Sequence, residues 1–258
     1  MALPIVFIHG IRVSGTMWDP VRSHLTGPSA APDLPGHGSR RGMPYDMDAA
    51  CAVVAECIRG LGGRALVVGF SLGGYVAIAT AARHPGLVAG LVAMGCTARP
   101  TGRRATNYRL AGRLAARAPS LAGRLSVYGF RRTLPGPTAE AFSAGGLACE
   151  VIPSVVESVT AEDPVASLAA YPGRVWLVNG SRDPFRADEL EFLRACAHGS
   201  LTWLPARNHL SVLADPAAIA DLVEGAARAA ASVSPVTSFA QTPSVHQNAV
   251  FLPKYGQK

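Results

Sequence analysis

Ala65-Leu66-Val67-Val68-Gly69-Phe70-Ser71-Leu72-Gly73-Gly74-Tyr75 is the stretch from which the rest of this sequence is read. Ala65 to Phe70 carries no polar side chain and has the length of a buried strand. Leu72 to His84 is rich in Ala and reads as a helix until Pro85 stops it. Gly69-Phe70-Ser71-Leu72-Gly73 therefore sets a serine on a tight strand-to-helix turn, its hydroxyl projecting from the strand end. Such a turn is strained, and Gly69 and Gly73 lack the Cβ atoms that would collide there. The first amides of the following helix point toward negative charge developing beside the serine. Ser71 is thus the candidate nucleophile, and Phe70 and Tyr75 are candidate pocket residues beside it.

The same alternation extends in both directions. Pro4 to His9 reads as a buried strand, Ser29 to Pro32 as a weaker one, Asp48 to Gly60 as a helix and Leu87 to Met94 as a strand. Farther on, Arg174 to Asn179 and Leu201 to Leu204 are expected as strands, with Arg186 to His198 and Pro216 to Ala231 as helices. Strands separated by helices make βαβ units, so the class is α/β with a parallel sheet. Between Thr97 and Tyr171 the strand pattern stops. That segment is rich in Ala, Leu and Arg and is punctuated by Pro100, Pro119, Pro135, Pro137 and Pro153. It reads as several short helices inserted between two strands, the usual way a lid is built. From Ser234 the sequence is polar and aperiodic. The expected layout is a core of residues 1–96 and 172–233, a helical lid of 97–171 and a disordered tail of 234–258.

Composition narrows the partners. With 258 residues, 49% hydrophobic and 16% charged, the chain can bury one sizeable core, and disorder is excluded for most of it. A net charge of +7, from 24 basic and 17 acidic residues, raises nucleic acid as a partner. However, the only lysines are Lys254 and Lys258, and no Lys/Arg run of a nucleic-acid tail is present, so no nucleic-acid partner is expected. No apolar run reaches the ~18–20 residues of a transmembrane segment. The first ten residues lack a basic n-region and a small-residue cleavage site, so a signal peptide is not expected and the location reads as cytoplasmic. Cys51, Cys57, Cys96, Cys149 and Cys196 are odd in number and form no CxxC, which suits reduced thiols there. No metal and no cofactor is expected, and no motif specifies an oligomeric state.

His9-Gly10-Ile11 at the first strand end, the turn Asp33-Leu34-Pro35-Gly36-His37-Gly38 and the serine elbow together resemble the α/β-hydrolase superfamily, over roughly residues 3 to 231. The resemblance implies an α/β-hydrolase fold: a mostly parallel sheet of about six strands flanked by helices, with an inserted helical lid. Six are expected because the chain opens on the His-Gly strand, without the antiparallel pair that commonly precedes it. The Ser29 to Pro32 strand then lies near an edge. The resemblance further implies that the N–H groups of Ile11 and Leu72 form an oxyanion hole. His209, in Ala206-Arg207-Asn208-His209-Leu210, takes the place of the general base, although Asn208 stands where the family usually has glycine. Asp183, in Asn179-Gly180-Ser181-Arg182-Asp183-Pro184, resembles the acid of the triad, in the order Ser71, Asp183, His209. At the alternative acid position stand Gly95-Cys96-Thr97, with no carboxylate. Asp33 and His37 are expected to be structural, and Asp163 and Asp215 to cap helices. Trp18 is placed beside the acyl pocket, and Phe185 next to the acid is a further pocket candidate.

A serine nucleophile separates this chain from relatives that use aspartate or cysteine at that position. It implies acyl transfer on a small-molecule ester, lactone or thioester. A lyase of the menaquinone-pathway (SHCHC synthase) type, a cofactor-free perhydrolase and a ligand-sensing receptor with little turnover are alternatives on the same triad. Tyr75 stands where that lyase has an arginine. Nine arginines fall between Arg99 and Arg132, with no Asp or Glu. Arg109, Arg113 and Arg117 recur on one helix face, and Arg109 and Arg113 are candidate guides for an anionic substrate. Leu110, Leu114, Leu121, Leu125 and Tyr128 are expected to form apolar faces over the pocket or the lid core.

Overall fold

A computed structural model describes residues 2–232, so the expected tail at 234–258 lies outside the described residues. The chain begins with β1 (Ile5–Ile8), α1 (Asp19–Arg22), β2 (Ser29–Ala30), α2 (Met47–Gly60), β3 (Ala65–Phe70), α3 (Leu72–Arg83) and β4 (Val88–Met94). Five helices follow without a strand: α4 (Gly102–Arg117), α5 (Pro119–Thr133), α6 (Gly136–Ala144), α7 (Ile152–Ala161) and α8 (Pro164–Ala170). The rhythm then resumes with β5 (Arg174–Gly180), α9 (Glu189–Ala195), β6 (His198–Leu204) and α10 (Pro216–Ala231).

The six strands form one sheet in the order β2-β1-β3-β4-β5-β6, and every neighbouring pair is parallel. This is the α/β-hydrolase fold. Strands β1, β3 and β4 are buried along their whole length, which is why they read as continuous apolar runs. Alternate residues serve opposite faces. Val6 and Ile8 of β1 pack with α2 and α3 residues such as Val54, Ile58 and Ile78. Ile5 and Phe7 pack on the other face with Trp18, Phe142 and Val223. Each large side chain so buried contributes about 1.5–3 kcal/mol.

Order reverses beside β1: the chain leaves β1 for the edge strand β2, then returns to β3 on β1's other side. Open parallel sheets bind ligands in the crevice at such a switch, outside the carboxyl ends of the strands. Here that crevice lies between the loop after β1 and the turn after β3.

Several boundaries shift from expectation for local reasons. The strand expected over Ser29–Pro32 pairs only at Ser29 and Ala30, a short edge strand. Strand β6 starts at His198, and the helix expected from Arg186 shrinks to α9. Its first turn is replaced by a 3₁₀ turn at Pro184–Arg186, because the Asp183 carboxylate accepts the Phe185 N–H at 2.8 Å. Asp163 and Asp215 accept backbone N–H groups at the starts of α8 and α10, as helix caps do. No single helix among the described residues is long and apolar enough to cross a membrane.

Candidate active site

Ser71 caps α3 with φ 55° and ψ −117°, one of three non-glycine residues at positive φ among the described residues. The surrounding packing holds it there. A Cβ on Gly69 would run into the carbonyl of Gly73, and one on Gly73 into the carbonyls of Ile8 and His9. Both glycines are therefore required by close approach of backbones, as the sequence pattern implied. The strain projects the serine Oγ from the sheet toward the loops that follow β5 and β6.

Those two loops carry Asp183 and His209. They are laced together: Arg182 N–H donates to the Arg207 carbonyl at 2.9 Å, and Ala206 N–H donates to Ser181 Oγ at 2.9 Å. His209 Nε2 lies 3.0 Å from Ser71 Oγ, and His209 Nδ1 lies 2.9 Å from Asp183 Oδ2. The Asp183 side chain is fully buried, whereas the His209 side chain keeps 21% of its exposure. A buried carboxylate on Nδ1 leaves Nε2 free to accept a proton from the hydroxyl. Asn208 is more than a substitute for glycine. Its Oδ1 accepts the N–H groups of Leu210 and Ser211, at 3.1 and 2.9 Å, and so closes the turn around His209.

Two aromatic rings pack against the imidazole. Phe70 lies 4.9 Å from it and Phe185 4.4 Å, centroid to centroid. Tyr108 of α4 stacks on Phe185 at 5.8 Å, 24° from parallel. Sequence reasoning missed Tyr108, since it sits in a helix that no motif connects to the loops. It also missed Gly95. That residue has φ +59°, and a Cβ there would lie 3.0 Å from Asp183 Oδ2 and 3.1 Å from His209 Nδ1. The sequence signal was available, as the alternative acid position is filled by the residue that makes room for the pair.

Opposite the histidine, Leu72 is the first residue of α3, so its N–H has no carbonyl within the helix to bond. Ile11 sits in the turn after β1, directly beyond His9 and Gly10. His9 is fully buried: its Nε2 accepts the Leu34 N–H at 3.0 Å and its Nδ1 donates to the Gly10 carbonyl at 2.8 Å. Burial, with His37 beside it, drives its pKa down to about 3, so the ring is a neutral strut. Asp33 accepts Gly15 N–H, Ser39 N–H and Ser39 Oγ–H at 2.7–2.8 Å. Burial raises its pKa, but those bonds outweigh burial and hold the carboxyl below its ordinary range. Asp33 and His9 thus brace the loop that carries Ile11.

The pocket expectations need correction at three residues. Trp18 is fully buried and packs 4.9 Å from Phe7, so it belongs to the core beneath α6 and presents no surface to the crevice. Tyr75 is 8% exposed, and its hydroxyl donates to the Ala98 carbonyl, tying α3 to the segment after β4. Arg109 is committed to Glu157 at 2.9 Å and Thr160 at 2.8 Å, so α7 neutralises it. Arg113 is exposed on α4 and makes no ion pair among the described residues. A groove of about 590 Å³ runs beside α5, with Arg41, Arg124, Arg131 and Tyr128 in its walls, but Ser71, Asp183 and His209 do not line it.

Comparison with known proteins places these observations in context. Residues 5–222 match the model of the alpha/beta hydrolase family. Over 91 residues the chain is 42% identical to lipase LipV of Mycobacterium tuberculosis, covering 34% of this chain and 35% of the relative. Over 100 residues it is 40% identical to a pimeloyl-[acyl-carrier protein] methyl ester esterase of Neisseria meningitidis, covering 38% of each. The matched part thus spans little more than a third of these curated relatives. Among solved structures, a malate-bound esterase from Thermogutta terrifontis is similar with TM-score 0.73 and 22% identity, over 89% of this chain and 91% of the other. The enol-lactonase from Burkholderia xenovorans is similar with TM-score 0.71 and 19% identity, over 86% and 90%. At such identities the likeness is one of fold.

Proposed function

Because the chain belongs to the alpha/beta hydrolase family, we propose that it is a serine hydrolase that cleaves a carboxylic ester, lactone or thioester through an acyl-enzyme. The observation that carries this reading is the relay Ser71 Oγ, His209 Nε2, His209 Nδ1, Asp183 Oδ2, with steps of 3.0 and 2.9 Å. His209 takes the proton of Ser71 as the oxygen attacks the carbonyl carbon. The resulting oxyanion receives the N–H groups of Ile11 and Leu72, donors that act fully only on transition-state charge. His209 returns the proton to the departing alcohol or thiol, leaving the acyl group on Ser71. Water, deprotonated by His209, then releases the acid. Asp183 holds the imidazole tautomer and stabilises the imidazolium.

The helices of residues 97–171 act in this reading as a lid, whose Tyr108 stacks on Phe185, the ring that packs on His209. Phe70 and Phe185 wall the pocket. The names lipase and methyl ester esterase among the relatives favour carboxylic esters within the proposed class. The commitment of the Tyr75 hydroxyl to Ala98 argues against an anion-eliminating lyase, since the position supplies no charge to the crevice. Five cysteines without a disulfide suit the reducing cytoplasm.

The test is labelling with a fluorophosphonate, with Ser71→Ala as control, followed by p-nitrophenyl esters of rising chain length and an acyl-CoA. Labelling that requires Ser71, with turnover of at least one ester, is expected. Labelling without turnover would replace this reading with the ligand-sensing one, and no labelling would remove the serine nucleophile.

A further inference from the structure

The leucines of α4 and α5 do not do what their spacing suggested. Leu110, Leu114, Leu121, Leu125 and Tyr128 are 55–62% exposed, and they are five of the eight large apolar side chains that stand exposed among the described residues. The inward faces of these helices carry other residues: Ala105, Tyr108 and Gly112 on α4, Ser126 and Phe130 on α5. Gly112 lets α4 approach α7 closely, since a Cβ there would come within 3.1 Å of Ile152. The larger apolar residues are therefore turned outward by the packing itself.

Charge on the same faces is one-sided. Of the nine arginines between Arg99 and Arg132, three find carboxylates elsewhere in the fold: Arg99 with Glu191, Arg104 with Asp188 and Arg109 with Glu157. Arg103, Arg113, Arg117, Arg124, Arg131 and Arg132 are exposed and make no ion pair among the described residues. The segment contains no acid to offset them. Leucines thus alternate with unpaired arginines along two consecutive helices, and the groove beside α5 opens Arg124 and Arg131 to the same solvent.

We propose that the α4–α5 hairpin docks on a membrane surface bearing anionic phospholipids. Exposed leucines set among long basic side chains are the pattern of a helix lying in the interface: the apolar tips enter the acyl boundary while the guanidinium groups stay at the phosphates. Each basic residue near such a surface adds about 1 kcal/mol of attraction, which is about fivefold in partitioning. The arginines are distributed over successive turns rather than gathered into one geometry, which suits mobile headgroups better than the fixed carboxylates of a protein partner. Guanidinium is also the group that pairs phosphate through two parallel bonds. The inward face of the same hairpin reaches the candidate site, since its Tyr108 stacks on Phe185 beside His209.

The experiment is co-sedimentation of the full chain with vesicles of phosphatidylcholine alone or mixed with phosphatidylglycerol, at low and high salt. Binding to the mixed vesicles, weakened by salt and absent for phosphatidylcholine alone, is expected. Leu114→Ser with Leu125→Ser should weaken it by about tenfold or more. Arg117→Gln and Arg124→Gln should each weaken it about fivefold. All four positions are exposed, so circular dichroism and the thermal midpoint should stay near the parent values. Ser71→Ala should bind as the parent does, which separates this inference from the catalytic one. Absence of binding to the mixed vesicles overturns the proposal. So does binding that the leucine variants leave unchanged, or a concentration-dependent dimer that these variants abolish.

Discussion

The ring of Phe185 lies 4.4 Å from that of His209, centroid to centroid, with 37° between their planes. Asp183, two residues before Phe185, holds the same histidine through Nδ1 and accepts the Phe185 N–H through its other oxygen. One short 3₁₀ turn thus fixes the imidazole by charge and by packing together. Phe185→Ala removes the packing alone. It should lower kcat/KM about two- to tenfold, in line with ~0.5–1.5 kcal/mol for an aromatic pair beyond area burial. Tyr108→Ala should follow in the same direction with a smaller effect. Steady-state kinetics on a p-nitrophenyl ester checks both, and unchanged values would mean the rings merely fill space.

Asp183→Asn keeps the shape of the loop but allows the amide to donate where the carboxylate only accepted. His209 should then turn to the wrong tautomer, and kcat should fall by about 10³–10⁴. Fluorophosphonate labelling of Ser71 should slow in parallel, since both reactions need the same proton acceptor. A loss below tenfold would show that Asp183 is not the orienting acid.

Gly95→Ala tests a residue that makes no bond in the relay. Its φ of +59° disfavours any side chain, and the added methyl would press on both Asp183 and His209. The expected result is about 1–2 kcal/mol lost from stability, with a fall in kcat larger than that loss explains. Urea denaturation together with kinetics separates the two effects. A stable variant of parental activity would show that the pair tolerates displacement.

Acid should destabilise the fold through His9. Its folded pKa, about 3, lies below the ordinary value of 6.5 because of burial and the neighbouring His37. Above pH 6.5 neither the folded nor the unfolded state binds this proton, and the full stability is present. Between 6.5 and about 3 only the unfolded state binds it, so stability falls as pH falls, by at most roughly 5 kcal/mol. His37, lowered mainly by burial, adds to the slope over the upper part of that window. Asp33, whose folded pKa is also lowered, adds to it below its ordinary 3.8. His9→Gln should start from lower stability at neutral pH, having lost a buried strut, and show a flatter decline below pH 6.5. Urea midpoints measured from pH 7.5 to 4 decide it, and parallel curves for the two proteins would exclude His9 as the source.

Much of the candidate site was legible because its signals are local. The elbow needs small residues two positions either side of Ser71, and the clash of a Gly73 side chain with the Ile8 and His9 carbonyls is the physical content of that spacing. The order Ser71, Asp183, His209 was supplied by the resemblance, and each of the three follows a strand, with β3, β5 and β6 all ending on the same side of a parallel sheet. Tyr108 was not legible, as nothing near it in the chain shows that α4 crosses above the Phe185 turn. Trp18 and Tyr75 were assigned to the pocket by the positions they fill in the family resemblance, after the Ile11 loop and after Gly73-Gly74. A helix or turn places neighbours on different faces, and both side chains point into the core.

By itself the sequence determined the α/β class and the strained turn at Ser71, since periodicity and backbone sterics act over a few positions, while the six strands and the candidates Asp183 and His209 were what the family resemblance implied. Only the tertiary structure decided which side of α4 and α5 meets solvent. A helical repeat yields a stripe, but whether that stripe is buried depends on the neighbour it meets. Here small residues such as Gly112 won the contact with Ile152, and the leucines were left outside. The same holds for charge. Arg109 and Arg113 share one face and one spacing, yet Glu157 of α7 stands beside the first and makes no ion pair with the second.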